Sequence, residues 1–99
     1  MSMIKYSIYI VDDEKTITDG VTMALEDDYR IKAFSDAETA IAQLEKDPPD
    51  LILLDIGLPG MNGIDALRHI KDVYPDVLVI MITTYEDVDI VISAMKLGA

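Results

Sequence analysis

The sequence predicts an α/β domain built on a doubly wound parallel sheet, and three observations carry that expectation. Short β-branched stretches alternate strictly with stretches whose apolar residues recur at helical spacing, the pattern of βαβ units. Two of the strand-like stretches, 50–55 and 77–82, are apolar on both faces, as strands are when helices cover both sides of a sheet. Finally, strands one, three and four end in oxygen-bearing side chains, Asp12-Asp13, Asp55 and Thr83-Thr84, at the edge where open α/β sheets bind ligands.

Tyr6 to Val11 (YSIYIV) is β-branched and aromatic and delivers Asp12 and Asp13 at its carboxyl end, which makes it strand one. From Lys15 to Glu26 the residues Ile17, Val21, Ala24 and Leu25 fall at helical spacing, and Asp27-Asp28 close the segment. Arg30 to Phe34 (RIKAF) alternates polar and apolar, as an edge strand with one wet face does. Ser35 and Glu38 have capping-box spacing and open a helix with a buried stripe of Ala37, Ala40, Ile41 and Leu44, which Pro48-Pro49 ends.

Asp50 to Asp55 is strand three, and Gly57, Pro59, Gly60 and Gly63 mark the tight loop after it. The next helix runs from about Ile64 to Tyr74, with Ile64, Leu67 and Ile70 inward and Pro75 as terminator. Val77 to Ile82 (VLVIMI) is strand four. Glu86 and Asp87 suit the amino end of a fourth helix, with Val88, Val91, Ile92 and Met95 inward and Gly98 as its carboxyl cap. A second apolar set, Ile90, Ala94 and Leu97, lies on another side of that helix. Right-handed crossovers then give the flavodoxin-like strand order 2-1-3-4, in which strands one and three are neighbours. Asp12, Asp13 and Asp55 converge in that arrangement, with Thr83 joining from strand four.

Composition narrows the function. A chain of 99 residues with 51% apolar content makes one domain with a small core. Nineteen acidic against eight basic residues give a net charge of -11, which argues against direct nucleic-acid binding and anionic membranes and favours divalent cations or basic partners. The absence of cysteine removes disulfides and thiolate metal sites and points to the cytosol. No apolar run approaches the roughly 20 residues of a membrane span.

Carboxylates and hydroxyls without His or Cys suit a hard cation such as Mg²⁺ and not zinc. A carboxylate can also act as a nucleophile toward a phosphoryl group when a metal neutralises the phosphoryl oxygens. Asp55 is the candidate acceptor, Asp12 and Asp13 the metal ligands, the Gly57 carbonyl a further oxygen, and the Thr83 hydroxyl a donor to the phosphoryl group. Any one of these aspartates alone is more often a turn or helix cap; the conjunction carries the reading. His69, the sole histidine, reads as a solvated helix residue.

Four motifs, VDDE (11–14), LLDIGLPGMNG (53–63), MITTYEDVD (81–89) and AMKLGA (94–99), resemble the CheY-like receiver domain of two-component response regulators, and the resemblance runs from about Ile8 to Ala99. It implies a phosphorylation switch in which Asp55 accepts a phosphoryl group from a sensor histidine kinase. Asp12, Asp13, Asp55 and the Gly57 carbonyl would hold Mg²⁺, and Thr83 would be the switch hydroxyl. The motif style is nearest to receivers attached to transcription regulators.

Two departures from the family pattern stand out. Thr84 replaces the usual Ala or Gly and is expected to slow small phosphodonors. The sequence stops at Ala99, before the family's fifth strand with its lysine, its aromatic switch residue and its fifth helix, so 1–99 reads as a carboxyl-terminally incomplete receiver that phosphorylates poorly by itself. Lys96 lies in helix four and is not that lysine. Strand four is thereby expected to be an open apolar edge, which together with helix four invites a homodimer or a swapped assembly.

Three other readings are weaker or less specific. An aspartate-nucleophile phosphatase of the dehalogenase type places a second Asp two residues after the first, where this chain has Gly57. A flavin carrier needs a phosphate-binding loop where Asp12-Asp13 stand. The third is an interaction module that works without phosphorylation.

Overall fold

The structure is a computed structural model and describes residues 5–55, 63–82 and 96–98. Its elements follow in the order β1 (Ser7–Val11), α1 (Lys15–Leu25), β2 (Arg30–Phe34), α2 (Ala37–Leu44), β3 (Leu51–Asp55), α3 (Gly63–Val73) and β4 (Leu78–Ile82). All strand pairs are parallel and the order is β2-β1-β3-β4, as the alternation predicts. Val11 pairs with Phe34 on one side and with Leu54 on the other, and Asp55 pairs with Ile82. The first and third strands therefore end side by side.

Strand alternation assigns the core. Tyr9, Val11, Ile52, Leu54 and Val79 pack with Ala37, Ala40 and Leu44 of α2 and with Ala66, Leu67 and Ile70 of α3. This matches the stripes expected for both helices. Tyr9 is fully buried, packs its ring tilted against Phe34 at 4.8 Å and donates its hydroxyl to the Asp47 carbonyl. That bond satisfies the one polar atom the core would otherwise strand.

The opposite face of the sheet is covered unevenly. The register sets two rows across it, Ile8-Leu51-Leu78 and Ile10-Leu53-Ile80. Ile8 and Ile10 are buried, Leu51 and Leu53 half-buried, and Leu78 and Ile80 are 66% and 52% exposed. Helix α1 packs beside β2, so the rows lose cover as they run away from it toward β4. Among the described residues β4 is the border strand and carries the exposed Leu78 and Ile80, whereas the other border strand, β2, carries exposed Arg30 and Lys32.

Two local expectations are corrected. The amino cap of α2 is Asp36 and not Ser35: Asp36 is still extended (φ -146, ψ 161), and its carboxylate accepts from the Thr39 amide at 2.7 Å. A cap side chain reaches the amide two or three residues on, and an ionised oxygen is the stronger acceptor there. In α1 the fully buried residue is Thr18, with Ile17, Val21 and Leu25 half-buried and Ala24 exposed. Thr18 tolerates burial because its hydroxyl donates to the Lys15 carbonyl at 3.1 Å, within its own helix. Leu97, of the second apolar set of helix four, whose residues read most often as core periphery, is half-buried against the core, in keeping with that reading. Gly98 has a φ of +99, which fits the predicted carboxyl cap. The other helix-four residues named above lie outside the described residues.

Candidate metal and phosphoacceptor site

The site is built by strand endings. β1 is apolar up to Val11, and its next residue, Asp12, donates its amide to the Phe34 carbonyl at 3.0 Å, which carries the ladder one step past the strand. Asp12 is 4% exposed, and one carboxylate oxygen accepts from the Glu14 amide at 2.9 Å. That bond ties the side chain to the turn opening α1 and fixes its orientation. Asp13 is exposed. Asp55 ends β3 one register step beyond the Val11-Leu54 pair and is half-buried.

These three carboxylates come together as the sequence predicts. Asp12, Asp13 and Asp55 each offer an oxygen within 4.8 Å of the other two. Gly57 and Thr83 lie outside the described residues, as do Thr84 and Asn62. At 4.8 Å and an effective dielectric near 20, the ionised Asp12 and Asp55 repel by about 3 kcal/mol, an upper figure because Asp55 is partly wet. An all-oxygen set of this kind, one member buried and aimed by a backbone amide, fits a hard divalent cation that keeps part of its water shell. It does not fit a soft metal.

A cavity of about 810 Å³ lies at the other end of the strands, lined by residues that include Tyr6, Tyr29, Tyr74, Pro75 and Leu78. It holds none of the three carboxylates. His69 is exposed on α3, as expected. Among the described residues, no helix is long and apolar enough to cross a membrane.

The family model of the response regulator receiver domain matches residues 8–99. The chain belongs to the response regulator receiver family. Among curated relatives of this receiver, the transcriptional regulatory protein DegU of Brevibacillus brevis is 37% identical over 98 residues, which is 96% of this chain and 42% of DegU. Nitrogen assimilation regulatory protein NtrX of Azorhizobium caulinodans is 38% identical over 97 residues, 95% of this chain and 21% of NtrX. The receiver thus spans less than half the length of these relatives. Among solved structures, a CheY-like response regulator receiver domain protein from Methanospirillum hungatei superposes with a TM-score of 0.92 at 30% identity, covering 97% of this chain and 78% of that one. The receiver fold and the two-component class are established by these matches together with the strand order.

Sequence reasoning missed two groups that shape this end of the molecule. The Glu14 amide, which orients Asp12, has no side-chain signature, although an Asp followed two residues later by a helix start is the pattern of an Asx turn. Tyr9 read only as a strand aromatic, yet it pins the segment before β3 through the Asp47 carbonyl.

Proposed function

We propose that this receiver is a Mg²⁺-dependent phosphorylation switch in which Asp55 takes a phosphoryl group from the phosphohistidine of a partner sensor kinase. The observation that carries the reading is the meeting of Asp12, Asp13 and Asp55 within 4.8 Å at the ends of two adjacent strands. Mg²⁺, when bound, supplies positive charge to the phosphoryl oxygens. Asp12 and Asp13 hold the cation with Asp55, and the Gly57 carbonyl is assigned as a further ligand from the sequence. An Asp55 oxygen forms the new O–P bond as the N–P bond to the kinase imidazole breaks, and the released imidazole takes up a proton. The Thr83 hydroxyl, which follows Ile82 beside Asp55 in the sheet register, donates to the transferred group.

The output is control of an attached or associated effector, and similarity to DegU and NtrX favours transcription. The segment itself acts as a signalling acceptor in the cytoplasm and not as a metabolic enzyme. The uncovered row at β4 supports contact with a second copy there. The deciding experiment is to add Mg²⁺ and beryllofluoride, a phosphoryl mimic, and follow the amide resonances of Asp12, Asp13 and Asp55. Saturable shifts at all three, lost in Asp55→Asn, support the switch. Shifts elsewhere with these three unmoved would end it.

A further inference from the structure

Lys71 sits in the last turn of α3, half-buried, and touches two separate pieces of chain. Its ammonium donates to the Pro75 carbonyl at 3.0 Å and to the Val77 carbonyl at 3.1 Å, which closes the turn between α3 and β4. Charge-assisted bonds of this kind are stronger than neutral ones. Its methylene stem lies against Gly98: a Cβ built on Gly98 would stand 3.1 Å from Lys71 Cε, a few tenths of an ångström too close. Gly98 also has a φ of +99, a backbone conformation that disfavours any side chain, and a Cβ there would push the Lys71 stem aside. Next to it Leu97 packs against the core.

We infer that Lys71 is a mechanical strap, with its head fixing the start of β4 and its stem seating the turn Lys96–Gly98, so that the two are held as one unit. The arrangement explains why a long, flexible cation is spent on two backbone carbonyls and not on one of the many carboxylates of this acidic chain. The ammonium is held by two carbonyls while the stem lies against Gly98, so a displacement of the turn that moves the stem pulls on the bonds at the start of β4. β4 runs from the strap to Ile82, which pairs with Asp55 at the carboxylate end. Ile82 and the turn Lys96–Gly98 are therefore linked through β4 and Lys71. A rearrangement prompted at Asp55 works against a fixed far end. That last consequence rests on the proposed phosphoacceptor role; the strap does not.

The test uses the whole chain and NMR with methyl-labelled leucine. Gly98→Ala presses on the Lys71 stem and also strains the turn at φ +99, so Leu97 moves in either case and exchange at Val77 and Leu78 is the reading that reports the strap. The expected result is a displaced Leu97 methyl resonance together with several-fold faster hydrogen exchange at the Val77 and Leu78 amides, which bond to the Tyr74 and Asp50 carbonyls. The β1 and β3 amides keep their protection. Displacement of Leu97 with Val77 and Leu78 unchanged would overturn the coupling. Lys71→Met, which keeps a stem and loses the ammonium, separates the two halves: Val77 and Leu78 exchange faster while Leu97 stays seated. Release of Leu97 in this variant, or unchanged exchange at Val77 and Leu78, contradicts the assignment. A failure to bind beryllofluoride would remove the phosphoacceptor reading and leave these outcomes intact.

Discussion

Magnesium should stabilise this receiver by an amount set by its own carboxylates. Asp12 is buried and Asp55 half-buried, with oxygens within 4.8 Å, so folding brings together charges that repel by up to about 3 kcal/mol at an effective dielectric near 20. Asp13 is exposed and adds less, because water and salt screen it. A cation that binds only where the three meet favours the folded state by RT ln(1 + [Mg²⁺]/Kd), about 1.4 kcal/mol at ten times Kd. For a chain of this size about 1 kcal/mol moves Tm by about 4–8 °C, so the expected rise is about 6–11 °C. The perturbation that isolates the cause is Asp12→Asn. Its amide oxygen can still accept from the Glu14 N–H, so the turn is kept while the charge is lost. The variant should melt higher than the parent without Mg²⁺ and respond to Mg²⁺ by less than half as much. Differential scanning fluorimetry at constant ionic strength reads both numbers. A parent melting curve that millimolar Mg²⁺ leaves unmoved, or a full response in Asp12→Asn, would refute the reasoning.

Four further outcomes follow from the same geometry. Asp55→Asn should abolish labelling by acetyl phosphate, read by intact mass, and should raise the urea midpoint without Mg²⁺, since it relieves the same repulsion as Asp12→Asn. Leu67→Ala, at a fully buried position, should cost about 2–5 kcal/mol in urea unfolding, against less than about 1 kcal/mol for Leu78→Ala, where most of the side chain is already wet. Tyr9→Phe keeps the ring against Phe34 but strands the Asp47 carbonyl, so it should cost about 1 kcal/mol by the same assay. Asp36→Ala should lower the urea midpoint in a pH-dependent way. The side-chain hydrogen bond with Thr39, followed by the one from its backbone N–H, holds the Asp36 carboxyl below its ordinary value. A depressed folded value means the contribution is present above the unfolded value near 3.8 and is lost as pH falls through the folded one. The gap between parent and variant should therefore be widest near neutrality and close in acid.

What the sequence made legible was whatever depends on period and on strand endings. Apolar runs at 8–11, 51–54 and 77–82 place strands without ambiguity, and a parallel sheet then brings Asp12 and Asp13 beside Asp55, since both β1 and β3 expose their next polar residue at the same edge. The wet face of RIKAF was equally readable, because alternation reports cover directly. Choices between adjacent candidates were not. Ser35 and Asp36 are both good caps, and the backbone angle at Asp36, set by where β2 releases the chain, decides between them. In α1 the rotational phase depends on how the helix lies beside β2, and a threonine that satisfies its own hydroxyl can occupy the inward position.

The two borders of the described sheet differ in kind. At the β2 border a newcomer meets exposed Arg30 and Lys32; at the β4 border it meets Leu78 and Ile80. A copy that docked strand to strand along β4, as proposed above, would leave the charged β2 borders of both partners facing outward.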